Sequence, residues 1–480
     1  MPDPGVKKSM STTTLNHPER LFPAEPTVRA FASELYQSVR DLPIVSPHGH
    51  TDPSWFALDE RFPDAVELLL KPDHYLVRML YSQGISMEAL GIATLDGSEV
   101  ETDSREIWRL FATNYQLFAG TPSRVWLDHV FNEVFGLDTL LSEATADEYF
   151  DHINDCLARP EFKPRALFDR FNIEVLATTE SPLDTLEHHK AIRDSDWAGR
   201  VITTYRPDPV VDPEYENFTA NVKRFGEIAG EDVSSFSGYL AAHRTQRAVF
   251  QSMGATATDH GHPTAATADL GQAACEERYL KALEGACTPA EAEQFRAQML
   301  TEMARMSLDD GMVMQLHPGS FRNHNPLVFD RFGRDKGADI PQRTEYVKAL
   351  KPLLDRFGNE PGFTLILFTL DETSYSRELA PLAGHYPCLR LGPPWWFHDS
   401  AQGMKRFREQ TTETAGFYNT VGFNDDTRAF LSIPARHDVA RRVDCSFLAT
   451  LVAEHQISMA EAETIARDLA YGLVKQAYRL

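Results

Sequence analysis

Short apolar runs alternate with amphipathic stretches along most of the chain, and each run is followed by polar or turn residues. Eight of the runs fit strands that are buried on both faces of a parallel sheet. They are residues 44–46, 173–178, 200–205, 248–253, 312–316, 363–369, 388–391 and 420–423. Stretches of helical spacing separate them, which predicts repeated strand–helix units. Eight such units favour an α/β fold of the (β/α)8 TIM-barrel type over an open sheet.

The chain is longer than a barrel requires. It has 480 residues, whereas a (β/α)8 barrel needs about 250. The longest interval between predicted strands, about 51–170, has helical patterning and many aromatic residues, so we expect a mostly helical insertion after strand one that distorts the barrel and covers the catalytic face. Residues 1–25 are polar and predict a disordered tail, which leaves 26–480 as the barrel domain. Near the end of the chain, Ser458 and Glu461 have the spacing of a capping box and predict a final helix.

Composition narrows the choice of partners. The net charge of −23 argues against nucleic acid and anionic membranes, because both attract basic surfaces. No apolar run approaches the roughly 18–20 residues of a membrane span. The five cysteines are odd in number and never spaced as Cys-x-x-Cys, which is typical of reduced thiols. We expect a cytoplasmic metabolic protein with a small-molecule substrate and no nucleic-acid or membrane partner, and a homo-oligomer stays open.

The most informative motif is His48-Gly49-His50, directly after the first predicted strand. Alternate residues of a strand share a face, so the two imidazoles are expected to converge just past the strand end. Neutral imidazoles suit a divalent metal such as zinc. A second copy, His260-Gly261-His262, lies in a stretch of small residues, 254–274, that we interpret as a loop. The first copy is therefore the predicted metal site.

Polar or aromatic side chains follow other predicted strands as well. They are Arg206 after strand three, His317 after strand five, Trp395 after strand seven and Asp426 after strand eight. Strands one and eight are neighbours in a closed barrel, so His48, His50 and Asp426 could form a three-ligand metal site with an open position. Other interpretations stay open: His317 as a core histidine, Asp426 as a helix N-cap and Arg206 in a surface ion pair.

Several short motifs follow one another in a fixed order along nearly the whole chain. They include Ser46-Pro47-His48-Gly49-His50, Asp73-His74-Tyr75, Arg206-Pro207-Asp208, Leu316-His317, Trp395-Trp396-Phe397 and Asp426-x-Arg428. With them the chain resembles the uronate isomerase (glucuronate isomerase) family of the amidohydrolase superfamily. The resemblance implies interconversion of D-glucuronate with D-fructuronate, and of D-galacturonate with D-tagaturonate. It also implies that His48, His50 and Asp426 hold one divalent metal ion, zinc, although Gly49 stands where cysteine is usual.

The resemblance further implies a substrate pocket. Its lining would include Tyr75, Arg206, His317, Trp395 and Arg428. His74, beside Tyr75, and Arg322 are additional candidates for contacting the substrate. A planar guanidinium matches a carboxylate in bidentate fashion, so Arg206 or Arg322 is expected to bind the C6 carboxylate.

An aldose–ketose isomerisation moves a proton between C2 and C1, most simply through a cis-enediol. The reaction needs a base at C2, an acid–base group near the carbonyl and stabilisation of negative charge. We expect Asp426 to be the base and Tyr75 or His317 to transfer the oxygen protons, with the assignment among the three left open. Arg428 and the metal would stabilise the developing charge.

Two other functions remain possible at this point. The same barrel supports metal-dependent hydrolysis of an amide, ester or lactone, but neither a strand-six histidine nor a bridging lysine is evident. A non-catalytic sugar-acid binding protein would have no need for the titratable set formed by His48, His50, His317 and Asp426.

Overall fold

A computed structural model describes residues 15–480 of the chain. Within that range the strands are β1 (Ile44–Ser46), β2 (Ile173–Glu180), β3 (Val201–Tyr205), β4 (Ala257–His260), β5 (Val313–Leu316), β6 (Ser320–Phe321), β7 (Ile340–Pro341), β8 (Leu365–Leu367) and β9 (Leu389–Leu391). Seven of them form one parallel sheet in the order β1-β2-β3-β4-β5-β8-β9. The other two, β6 and β7, pair as a short antiparallel sheet in the segment between β5 and β8.

The segment after β9 occupies the eighth position of the barrel. Thr420 forms a parallel bridge with Leu391, and the Leu391 amide donates to the carbonyl of Asn419 at 2.8 Å. At the other side, the His50 amide donates to the carbonyl of Thr427 at 3.0 Å. The curled sheet is thus closed by an irregular segment, which confirms the predicted distorted TIM-type barrel.

Helices surround the sheet. Their bounds are α1 (Pro26–Val39), α2 (Pro53–Leu58), α3 (His74–Ser82), α4 (Ser104–Thr113), α5 (Pro122–His129), α6 (Ala146–Leu157), α7 (Pro164–Arg170), α8 (Glu187–Arg193), α9 (Asp208–Val211), α10 (Phe218–Ala229), α11 (Phe236–Ser252), α12 (Gln272–Leu283), α13 (Pro289–Asp310), α14 (Pro326–Phe332), α15 (Lys351–Phe357), α16 (Ala380–Ala383), α17 (Ala401–Ala415), α18 (Ile433–Ala453), α19 (Met459–Arg467) and α20 (Leu473–Tyr478). The predicted capping box is present at the start of α19, where Ser458 and Glu461 bond each other's backbone amides.

The interior of the barrel is a small apolar cluster. Its members come from the inward faces of the strands and from α20, and they include Val45, Val175, Ala177, Ile202, Ala257, Val313, Ile366, Val421 and Tyr478. Side chains of a parallel strand alternate between the two faces of the sheet. A residue two positions along the strand from a member of this cluster therefore also points inward. The same alternation carries Asp259 of β4 inward above Ala257.

Two predicted strands are wrong. Residues 248–252 form the end of α11, Met253 is its C-cap, and the real fourth strand, β4, begins at Ala257. The helix was missed because its buried face includes polar side chains, among them His243, Gln246 and Arg247, which hide the apolar period of a helix. Residues 420–423 form only a single bridge where a strand is predicted.

Other sequence expectations concern the ends and the insertion. Between β1 and β2 lie the six helices α2–α7, which matches the helical content expected for 51–170. Residues 1–14 of the predicted tail, 1–25, lie outside the described residues. In the rest of this segment, Arg20 forms an ion pair with Asp438 of α18. All five cysteines are unpaired. In the described range, no helix combines the length and apolar character needed to cross a membrane.

Candidate active site and metal centre

One cavity of about 320 Å³ opens at the carboxyl ends of the barrel strands. Its size is at the lower end of the range for small-molecule sites. All ten predicted site residues line it: His48, His50, His74, Tyr75, Arg206, His317, Arg322, Trp395, Asp426 and Arg428. The structure therefore brings together residues that are up to 380 positions apart in the chain, from His48 to Arg428.

The first cluster of possible metal ligands lies past the end of β1. His48 Nε2 and His50 Nε2 are 3.5 Å and 3.1 Å from Oδ1 of Asp426. The backbone of Asp426 has a φ of 38°, in the left-handed region that aspartate tolerates better than most residues. Such conformations often occur at functional sites, where the surroundings enforce them. The three side chains are close enough to bind one ion.

A second cluster shares His48 and adds residues of β4 and β5. His317 follows β5, and its Nδ1 lies 2.6 Å from Oδ1 of Asp259, which is fully buried. Oδ2 of Asp259 is 3.9 Å from His48 Nε2. An ionised carboxylate can only accept a hydrogen bond, so Nδ1 of His317 carries the hydrogen. Its Nε2 lies 3.8 Å from Oδ2 of Asp426.

The unsatisfied atoms of these clusters fit a metal ion. His48 Nε2 and His317 Nε2 are buried and have no hydrogen-bond partner among residues 15–480. A buried polar atom without a partner is costly and calls for an ion or water. Imidazole and carboxylate groups are the donors that zinc and its neighbours use. The residues present can therefore hold a divalent metal ion.

The local electrostatics favour the protonation states that metal ligands require. Burial lowers the pKa of His48 to about 4 and keeps the ring neutral, although the carboxylates of Asp426 and Asp259 oppose this effect. Burial alone would raise the pKa of Asp426, but the nearby rings of His48 and His50 outweigh it, so this pKa falls well below its ordinary value. Neutral imidazoles and ionised carboxylates bind metals without first losing a proton.

The three predicted arginines occupy two different surroundings. Arg206 is held by two carboxylates: its Nε donates to Asp208 at 2.8 Å, and its Nη1 lies 3.0 Å from Oδ2 of Asp259. Arg322 pairs with Asp339 at 3.0 Å. The guanidinium of Arg206 therefore lies beside the metal-ligand clusters.

The other two arginines lie with His74 at another part of the cavity. Arg428 pairs with Asp335 at 3.0 Å, and the guanidinium of Arg322 stacks 5.2 Å from the ring centre of Trp396. The His74 ring lies 5.5 Å from that same indole. Burial, reinforced by the positive charge of Arg428, lowers the pKa of His74 to about 3. This group thus combines two arginines, each paired with an aspartate, and a neutral imidazole.

Aromatic side chains fix the remaining predicted residues. The Trp395 ring contacts His317 edge-on at 4.7 Å between centres. Tyr75 stacks on His74 at 4.7 Å and meets Trp126 edge-on at 5.9 Å. Burial raises the pKa of the Tyr75 hydroxyl far above its ordinary value, so the phenol is a proton donor here and not a phenolate.

Comparisons with known proteins agree with the geometry. A family model described as glucuronate isomerase matches residues 27–478. The chain belongs to the glucuronate isomerase family. It is 68% identical over 464 residues to the uronate isomerase of Phenylobacterium zucineum, which covers 97% of this chain and 96% of the relative. The resemblance predicted from short motifs is therefore confirmed.

Solved structures of glucuronate isomerase family members support the same assignment. The crystal structure of glucuronate isomerase from Caulobacter crescentus is 63% identical with a TM-score of 0.96, and the match covers 97% of each chain. The uronate isomerase structure from Thermotoga maritima is 28% identical with a TM-score of 0.88, over 95% of this chain and 98% of the other.

Three acidic residues of this glucuronate isomerase family site are not predicted from the sequence. Asp259 accepts a hydrogen bond from His317 and forms an ion pair with Arg206, yet it lies in the stretch 254–274 that the sequence predicts to be a loop. The available signal was the polar end of a short strand, Thr258-Asp259-His260, which the misplaced fourth strand concealed. The acidic partners Asp335 and Asp339 lie in a loop beyond β5 and had no strand pattern to reveal them.

Proposed function

We propose that the chain is an aldose–ketose isomerase that interconverts D-glucuronate with D-fructuronate and D-galacturonate with D-tagaturonate. One observation carries this proposal: the carboxylate of Asp426 lies within 3.1–3.8 Å of three imidazoles in a cavity that also contains several arginines. The carboxylate and imidazoles suit proton transfer, and the arginines suit a sugar acid. Membership of the glucuronate isomerase family supports the same reaction.

We assign one divalent metal ion, zinc, to His48, His50 and Asp426. The support is their mutual distances and the unpartnered Nε2 of His48. When bound, such an ion supplies positive charge that stabilises negative charge on a substrate oxygen. An alternative set formed by His48, Asp259 and His317 is less suitable, because Oδ2 of Asp259, the oxygen that faces His48, lies 3.0 Å from the Arg206 guanidinium, and that positive charge opposes a second cation there.

The two oxygens of Asp426 suggest how it serves as ligand and base. Oδ1 faces His48 and His50, whereas Oδ2 faces His317. Oδ2 is therefore the atom that we assign to accept the C2 proton and return it to C1. His317 is assigned to move a proton at the substrate oxygens through Nε2, since Asp259 fixes the hydrogen on Nδ1. Tyr75 donates a hydrogen bond, because its hydroxyl remains protonated.

The substrate carboxylate is assigned to the part of the cavity that contains Arg322, Arg428 and His74. Arg206 was the other candidate, but Asp208 and Asp259 already engage its guanidinium near the metal ligands. We propose that the positive charge of Arg206 keeps Asp259 ionised. With the carboxylate at Arg322 and Arg428, the aldehyde end of the sugar would face Asp426 and His317.

The helical insertion is proposed to cover the catalytic face. His74 and Tyr75, at the start of α3, line the cavity, so at least this part of the insertion reaches the site. A cover that excludes water would protect an enediol intermediate from side reactions.

Proton NMR of the protein with D-glucuronate in deuterated water tests the proposed function. We expect conversion to the ketouronate, with deuterium appearing at the migrating position to the extent that solvent exchanges with the base. Asp426→Asn should abolish exchange of the C2 proton, and unchanged exchange would exclude Asp426 as the base. No conversion of glucuronate or galacturonate in the presence of Zn²⁺ would contradict the isomerase assignment and direct attention to lactones and amides.

A further inference from the structure

A chain of polar groups crosses the barrel interior below the metal ligands. Tyr478, near the end of α20, is fully buried and its hydroxyl donates to Oε1 of Gln315 at 2.9 Å. Nε2 of Gln315 lies 3.5 Å from Nδ1 of His48. The side-chain amide of Asn424 donates to the Tyr478 hydroxyl at 3.1 Å.

The strand pattern explains how this chain reaches His48. Val313 of β5 points into the interior cluster, so Gln315 and His317 point inward at the next two levels. Val313 therefore lies in the apolar cluster, Gln315 in the middle and His317 in the cavity. Polar side chains are rare inside a barrel, where branched apolar residues predominate. Gln315 therefore requires a partner there, and Tyr478 and His48 supply it.

We propose that Gln315 and Tyr478 are positioning residues that hold the His48 ring with Nε2 directed at the metal site, and so set the affinity for the metal. This inference rests on the proposed function, because it takes His48 as a ligand. Metal-binding histidines are generally held at their second ring nitrogen, and loss of that partner lowers metal affinity about 10–100-fold. A sequence search for ligands does not find either residue, because neither binds the metal.

Gln315 and Tyr478 can serve as partners of His48 both with and without a bound metal ion. An imidazole that binds a metal through Nε2 has its hydrogen on Nδ1 and needs an acceptor there. A half-turn of the Gln315 amide presents its oxygen to Nδ1 and its NH₂ to the Tyr478 oxygen. It gives up the 3.4 Å contact between Nε2 and the Thr258 carbonyl and the hydrogen bond that the Tyr478 hydroxyl donates to Oε1. The Tyr478 hydroxyl can accept as well as donate. Burial raises the pKa of Tyr478, so the hydroxyl keeps its proton in either arrangement.

The test is Zn²⁺ affinity of the full-length protein, stripped of metal and titrated in competition with a chromophoric chelator. We expect Gln315→Met and Tyr478→Phe to weaken Zn²⁺ binding about 10–100-fold. Matched controls remove equally buried groups away from His48: Gln298→Met, whose amide bonds Glu302, and Tyr239→Phe, whose hydroxyl donates to a backbone carbonyl at 2.7 Å. The controls should bind Zn²⁺ as the unaltered protein does.

Gln315→Glu separates positioning from general packing. A carboxylate accepts the Nδ1 hydrogen, so this variant should bind Zn²⁺ more tightly than Gln315→Met. Thermal melting of the metal-free proteins shows whether each variant is folded. Native affinity in folded Gln315→Met and Tyr478→Phe would overturn the inference. Absence of saturable Zn²⁺ binding to the unaltered protein would instead contradict the proposed ligand set, and the inference with it. The two failures are distinguished by whether the unaltered protein binds Zn²⁺.

Discussion

The chain contains the tripeptide His-Gly-His twice at the end of a parallel strand, and only the first copy brings imidazoles to the cavity. His48 and His50 lie beyond β1, where the chain has left the sheet and can turn both rings inward. His260 is itself the last residue of β4, on the same face as Thr258, to which its ring is bonded at 3.1 Å. That strand therefore points Asp259 into the site. The position of the strand end, and not the motif alone, decides which side chains reach the cavity.

The largest expected difference between the copies is in metal binding. We expect His48→Ala to weaken Zn²⁺ binding more than about 100-fold, because removing a ligand exceeds the effect of removing an outer partner. His260→Ala should leave Zn²⁺ affinity unchanged and lower the free energy of unfolding by about 1–3 kcal/mol, since it empties a buried site. Chelator competition and denaturant unfolding measure the two quantities. Equal loss of Zn²⁺ affinity in both variants would contradict the distinction.

The second copy should still affect catalysis through its neighbour Asp259. Asp259→Asn keeps an acceptor for His317 but removes the charge that holds His317 and Arg206. A hydrogen bond to a charged group contributes about 1.5–3 kcal/mol, so kcat/KM for D-glucuronate should fall about 10–100-fold. Steady-state kinetics test this, with Asp330→Asn on the exposed face of α14 as the charge control. Native kcat/KM in Asp259→Asn would show that β4 contributes only structure.

The middle glycine of the second copy should matter for a steric reason. A Cβ on Gly261 would lie 2.1 Å from Nη2 of Arg206 and 2.8 Å from Oδ2 of Asp208. Gly261→Ala must therefore displace an arginine that two carboxylates hold in place. Small displacements in an active site are costly, so we expect about a tenfold fall in kcat/KM, measured beside the unfolding midpoint. A variant with unchanged kinetics would mean that Arg206 moves aside without consequence.

The parts of the molecule that have a regular pattern could be predicted from the sequence. The apolar runs predict six of the strands, and the polar residues predicted just beyond β1, β3 and β5 line the cavity. Regions where buried residues are polar could not be predicted in this way. His243, Gln246 and Arg247 concealed α11 and displaced the fourth strand, so that Asp259 was lost. A buried polar residue is recognised by its partners, and partners distant in sequence are visible only in three dimensions.

The same limit explains why Gln315 and Tyr478 were not found. Gln315 lies in a run that correctly predicts β5, where nothing in the sequence distinguishes a polar residue that points into the barrel from one that points outward. Its partner is 163 residues away at the end of α20. The apolar alternation predicts the strand, whereas the hydrogen bonds that give the polar position a role depend on the closed barrel.

The smallest effect is expected at Gly49, the middle residue of the first copy. A Cβ there would meet the Ala177 carbonyl at 3.4 Å, the Thr427 carbonyl at 3.5 Å and Oδ1 of Asp425 at 3.6 Å, all ordinary contacts. Gly49→Ala should therefore keep kcat/KM within about twofold and raise the free energy of unfolding by about 0.4–1 kcal/mol, because alanine restricts the unfolded chain. A tenfold loss of activity would show that the backbone between the two ligands must remain bare. Gly261→Ala introduces the same methyl group into the same tripeptide. A difference between the two variants must therefore come from the surroundings of each glycine and not from the motif itself.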